Sequence, residues 1–123
     1  MKSTMVHELT HAWQYGILNK DRMKLLMKAL GSNAKQKRKL LLEGHAVYTQ
    51  IFVMEEFGET HFADVLKTEY AERSDVYGIG YKTIAEYCEA QKDLNPYQAM
   101  EKLIGELIEG AEAIKWPANI ENL

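Results

Sequence analysis

An all-α domain of about five to six helices is the fold class this sequence predicts, on three observations. Apolar residues recur at three- and four-residue spacing through most of the chain, the period of helices half-buried against a core. No clean alternating run of β-branched and aromatic residues interrupts them, so strand signals are nearly absent. The breaks are short and polar. One of them, Asn95-Pro96-Tyr97-Gln98, is a strong helix start, with Asn at the N-cap, Pro at N1 and Gln at N3. A chain of 123 residues, 46% hydrophobic and 27% charged with two prolines, is large enough for one globular domain with its own core.

The first helix is expected from about Thr4 to Tyr15, with Ser3 or Thr4 as N-cap. Val6, Leu9 and Trp13 make its core stripe, His7, His11 and Gln14 a neighbouring polar one, and Gly16 and Asn19 mark its end. Asp21 is the expected cap of a second helix, lined by Met23, Leu26, Met27 and Leu30 and stopped by Gly31-Ser32-Asn33. A long helix follows from about Ala34 to Phe57. Leu40, Val47, Ile51 and Met54 form one of its stripes and Leu41, Tyr48 and Phe52 another, and apolar cover round so much of its circumference marks a central element. Gly58 ends it. A shorter helix is expected from about His61 to Glu72 with Thr60 as cap, then a break through Ser74–Gly80, a helix from Tyr81 to Gln91, and a last one from the Asn95 cap to about Glu109. Trp116-Pro117 closes the chain in a tail expected to pack by its indole.

Net charge is −3, with neither sign dominant, which argues against nucleic acid as the main partner. The basic run Lys35-Gln36-Lys37-Arg38-Lys39 reads as a solvated helix start. Cys88 is the one cysteine, so no intramolecular disulfide forms. With no apolar leader or membrane-length run, the expectation is a cytoplasmic protein with no membrane partner.

The chemistry-bearing stretch is His7-Glu8-Leu9-Thr10-His11, an H-E-x-x-H pattern. On a helix, positions i and i+4 share a face, so two imidazoles can meet one metal ion. Glu8 lies about 100° round the helix, beside the ion, where a general base for an attacking water belongs. A hydrolytic zinc site needs a third protein ligand. Glu43 is the best candidate. It falls within the buried stripe of the long helix, where an isolated carboxylate costs several kcal/mol unless paired, protonated or on a metal. Gly44 follows it. Glycine within a helix costs about 1 kcal/mol against Ala, and its expected use is close approach of another helix, the first being the natural visitor. The competing arrangement for Glu43 is an ion pair with Arg38 or Lys39. His45, the rival donor, points about 200° away from Glu43 and reads more readily as a satisfied core residue, while His61 reads as a surface or cap-adjacent residue. Gln14 or Gln50 could support a ligand by hydrogen bonding.

H-E-x-x-H with a glutamate on a later helix resembles the gluzincin class of zinc metallopeptidases. Leu42-Glu43-Gly44-His45-Ala46 is similar to the glutamate-ligand helix of several of them, and Val76-Tyr77-Gly78-Ile79-Gly80-Tyr81 to a Tyr-Gly-x-Gly-aromatic loop. The motif order, with Ala12-Trp13 directly after His11, resembles the peptidase domain of the plant LIM-domain, ubiquitin-regulated peptidases and their bacterial relatives. The resemblance implies one helical, metallopeptidase-like domain over residues 1–123, with zinc on His7, His11 and Glu43, Glu8 as general base and a peptide or protein as substrate. Tyr77 or Tyr81, beside Gly78 and Gly80 as hinge positions, could supply the oxyanion donor; the alternative is that both pack the loop onto the body.

Zincins of this class carry a β-sheet before the motif helix, and its edge strand holds the substrate. Six residues precede His7 here, so the expectation is the helical part of a zincin without that sheet: a piece of a larger protein, or a minimal and inactive relative. An exposed apolar face on the first helix follows, to be covered by a homodimer or by a preceding region. The alternative function is a non-catalytic, zinc-binding helical interaction domain.

Overall fold

In the computed structural model, which describes residues 3–123 (side chains from residue 5 onward), the long helix lies at the centre of the fold. The order is α1 (Ser3–Ile17), α2 (Lys20–Leu30), α3 (Ala34–Glu56), α4 (Thr60–Glu72), α5 (Val76–Ala90), α6 (Pro96–Ile108) and a 3-10 turn, Ile120–Asn122. No strand occurs among the described residues. α3 packs against each of the other five helices, with α5 and α1 its main neighbours, while α4 also rests on α5 and α2 on α6. Both expected stripes of α3 turn inward. Leu40, Leu41, Val47, Ile51 and Met54 are buried, and Tyr48 and Phe52 half-buried. At about 1.5–3 kcal/mol per large apolar side chain removed from water, that makes α3 the main source of cohesion. No helix among the described residues is long and apolar enough to cross a membrane.

The helix ends correct several expectations. α2 is capped by Asn19, whose side chain accepts from the Arg22 N–H at 2.9 Å, and not by Asp21. Asn19 can start α2 because α1 already ends at Ile17, two residues beyond Tyr15, with Gly16 inside it. Thr60 is the first helical residue of α4 rather than its cap. The Ser3 and Thr4 cap concerns side chains outside the described residues. At α6 the Asn95–Gln98 capping box is present in both directions, at 2.9 and 3.0 Å. Asn95→Ala is therefore expected to lower unfolding free energy by about 1 kcal/mol, measurable by urea denaturation.

The largest correction is α5. Its helix starts at Val76, where a break through Gly80 was expected, and Asp75 caps it by accepting from the Gly78 N–H at 2.9 Å. Gly78 and Gly80 are not hinges. Neither has positive φ, and both are buried in helix. Gly80 packs against α3: a Cβ on Gly44 would lie 2.3 Å from the Gly80 carbonyl carbon and oxygen, and one on Gly80 would lie 2.6 Å from the Leu40 oxygen. Gly44 therefore admits α5, not α1, to contact with α3.

α1 is corrected as well. Val6 and Trp13 turn inward, but Leu9 is 60% exposed, while Thr10 and Gln14 are fully buried. The contact stripe is centred on these two polar residues, and Leu9 lies about 140° from Gln14 round the helix. Thr10 meets its burial by donating to the Val6 carbonyl at 2.8 Å. Met5, Leu9 and Tyr15 stand exposed on the outer side of α1, with Glu8 exposed among them. At the start of α3, Lys35 and Lys39 are solvated. Lys37 instead donates to the Leu30 carbonyl at 2.8 Å and lies over the half-buried Trp116 indole, which packs the tail as expected.

Candidate metal centre

Burial of Thr10 and Gln14 against α3 leaves His7 and His11, one turn apart, at the edge of the α1–α3 interface. Glu43 reaches the same edge from α3. His11 Nε2 lies 2.9 Å from one Glu43 carboxylate oxygen and 3.1 Å from His7 Nε2, and His7 Nε2 lies 3.7 Å from the other carboxylate oxygen. Among the described residues this is the one His/Cys/Asp/Glu group whose ligand atoms all fall within 4.8 Å of one another. Four ligands at about 2.0–2.2 Å round a tetrahedral ion stand about 3.3–3.6 Å apart. The observed separations bracket that range. Two neutral imidazoles and one carboxylate are also a donor set zinc accepts. The three residues fit the ion.

Without an ion, the three groups couple as an ion pair. Its interaction with His7, with the charges of His11 and His7 and the nearby Tyr77 hydroxyl, holds the Glu43 carboxyl below its usual range against the opposing effect of desolvation. The Glu43 hydrogen bond, with smaller support from Gln50 and the Glu8 charge, raises His7 above the ordinary imidazole value despite partial burial. By distance His11 is the closer of Glu43's two partners. Each imidazole is 18–20% exposed at its side chain, and Glu43 is 19% exposed, so the group is open to solvent on one side. Arg38 and Lys39, the competing partners from sequence, make no ion pair with Glu43; its partners are the two histidines.

Glu8 is exposed on α1 next to His7, close enough for its charge to be felt there. Tyr77 is half-buried near Glu43, whose charge is the main cause of its raised pKa. The Gly44–Gly80 contact explains this placement, because it seats the first turn of α5 on α3 beside Glu43. Tyr81, one turn further along α5, is buried among Val47, Ile51 and Ala63 with its ring facing Tyr48 and Tyr70, so Tyr77 is the tyrosine brought to the cluster. His61 is exposed on α4, facing Phe62.

His45 is fully buried between Trp13 and Tyr97, and burial pushes its imidazole down to about 4. It is joined to His11 through Gln14. His11 Nδ1 lies 2.8 Å from Gln14 Oε1, and Gln14 Nε2 lies 3.0 Å from the Leu42 carbonyl and 2.9 Å from His45 Nδ1. His45 Nε2 lies 2.9 Å from the Pro96 carbonyl and 3.3 Å from Thr49 Oγ1. Sequence reasoning reached Gln14 as a partner for a ligand but had no signal for His45 and Pro96, which meet across 51 positions of chain.

Comparison with family models, curated proteins and solved structures returns no match to this chain.

Proposed function

We propose that this chain is a zinc-dependent peptidase of the gluzincin kind, with His7, His11 and Glu43 holding the ion, Glu8 as general base and a peptide or protein as substrate. The observation that carries the reading is the meeting of two imidazole Nε2 atoms and one carboxylate, from two different helices, at 2.9–3.7 Å. Bound zinc supplies Lewis-acid polarisation of the scissile carbonyl and acidification of a water. Glu8 would take a proton from the attacking water as the water oxygen bonds to the carbonyl carbon. As the C–N bond breaks, Glu8 passes the proton to the leaving amine nitrogen. Tyr77, near Glu43, would donate to the oxygen on which negative charge develops.

Metal analysis tests the foundation. After zinc loading and dialysis one zinc per chain is expected, and Glu43→Gln or His11→Ala should lose it. A chelator should lower the melting temperature, since an ion at 100 times its dissociation constant stabilises by about 2.7 kcal/mol. Absence of stoichiometric zinc would sink the proposal. A second reading, a non-catalytic zinc-binding interaction domain, is favoured by the exposed Met5, Leu9 and Tyr15 on α1, a face that a homodimer or a preceding region would cover. It predicts bound zinc with no cleavage that depends on Glu8.

A further inference from the structure

We propose that Gln14 and His45 form a relay that holds a proton on His11 Nδ1, leaving Nε2 as the ring atom that faces His7 and Glu43. Gln14 and His45 are therefore positioning residues, and the inference rests on His11 being a metal ligand.

The relay follows from which groups can only donate and which can only accept. The Leu42 carbonyl is acceptor-only, and it lies 3.0 Å from one end of the Gln14 amide. That end must be the NH2 group, because the reversed amide would set two acceptors against each other. The same NH2 faces His45 Nδ1 at 2.9 Å, so Nδ1 accepts and carries no proton. The neutral ring then keeps its proton on Nε2, which faces the acceptor-only Pro96 carbonyl at 2.9 Å. At the other end, Gln14 Oε1 can only accept, so His11 Nδ1, 2.8 Å away, must donate to it. In the neutral ring the lone pair is then on Nε2, 3.1 Å from His7 and 2.9 Å from Glu43, where the acceptor-only carboxylate opposes it until a cation or a second proton lies between them.

Each step is thus anchored on a backbone carbonyl, Leu42 in α3 or Pro96 at the start of α6. Gln14 and His45 are both fully buried, and no buried side-chain polar atom among the described residues lacks a partner. Neither amide nor ring can flip without burying an unsatisfied group, a cost of about 1–3 kcal/mol. The arrangement has a chemical use: a ligating histidine is oriented by the group that accepts from its other nitrogen, and losing that group typically weakens metal binding 10–100-fold.

Long-range proton–nitrogen spectra of 15N-labelled, zinc-free protein at about pH 8.5, above the ordinary imidazole range, read the tautomer of each ring. His11 is expected as the Nδ1–H form and His45 as the Nε2–H form. In Gln14→Leu, His11 should give the averaged signature of mixed tautomers, and the zinc dissociation constant should rise roughly 10–100-fold. Gln14→Glu separates the relay from mere packing. One carboxylate oxygen still accepts from His11 and keeps its Nδ1 proton, while the other, set against the acceptor-only Leu42 carbonyl and His45 Nδ1, must take up a proton or be met by an added one on His45, so His11 should stay as it was. A parent spectrum in which His11 lacks its Nδ1 proton, or shows mixed neutral tautomers, overturns the relay whether or not either variant folds. So does a folded Gln14→Leu with His11 unchanged. Tautomers as stated in a protein that fails to bind zinc would support the relay and remove the peptidase reading, so the two fail separately.

Discussion

In the Glu8→Gln variant, peptide hydrolysis is expected to fall roughly 10²–10⁴-fold, with zinc content and thermal stability unchanged. The isosteric amide keeps the shape of Glu8 but cannot take a proton at neutral pH, so only the transfer from the attacking water is removed. A hundredfold loss corresponds to about 2.7 kcal/mol of barrier. Glu8 is exposed and takes no part in the His7–His11–Glu43 group. Surface substitutions of this kind usually change stability by about 0.5 kcal/mol or less. Steady-state rates on a peptide library, with zinc measured in the same samples, check this. Equal cleavage by parent and variant, both holding zinc, would remove Glu8 from the chemistry. Loss of zinc alongside loss of rate would instead make it a structural support of the site.

The parts of this arrangement legible in the sequence are those set by local periodicity. The i, i+4 spacing of His7 and His11 puts them on one face of any helix they form, and the stripe of Leu40, Val47 and Ile51 makes α3 central before any contact is known. Glu43 was legible because a carboxylate on that stripe needs a partner. Local pattern failed where a residue's role is fixed by something distant. Gly78 and Gly80 read as loop punctuation, yet they are helical: Asp75 caps the turn at Gly78, which packs against Arg73, and α3 lies against Gly80. Thr10 and Gln14 look polar enough for solvent, yet they are buried because Thr10 bonds back to Val6 and Gln14 is held by Leu42 and His45. A pattern that scores apolar residues passes over both and turns Leu9 inward instead.

Gly44→Ala is expected to destabilise the fold by about 2–4 kcal/mol, whereas Gly105→Ala, the same chemical change in α6, should stabilise it by about 0.5–1 kcal/mol. Both glycines are helical, and neither has positive φ, so in each the added methyl group lowers the backbone entropy of the unfolded chain. They differ only in what the methyl meets. At Gly105 nothing lies within 4 Å, and the helix gain stands alone. At Gly44 the Cβ would sit 2.3 Å from the carbonyl carbon and oxygen of Gly80 and 2.7 Å from its Cα. These are backbone atoms of a helix, which cannot rotate aside as a side chain can, so α3 and α5 must separate. Overpacking commonly costs 1–3 kcal/mol and more where the neighbour is rigid. The net loss is a large share of the roughly 5–15 kcal/mol that holds a domain together. Paired urea melts of the two variants measure the difference directly, and equal shifts would disprove the close contact. The same separation carries Tyr77 away from Glu43, because the contact at Gly80 seats the first turn of α5. A folded Gly44→Ala protein should therefore lose the upward displacement of the Tyr77 phenol titration that the Glu43 charge causes, a change that ultraviolet difference spectra follow against a Tyr77→Phe reference.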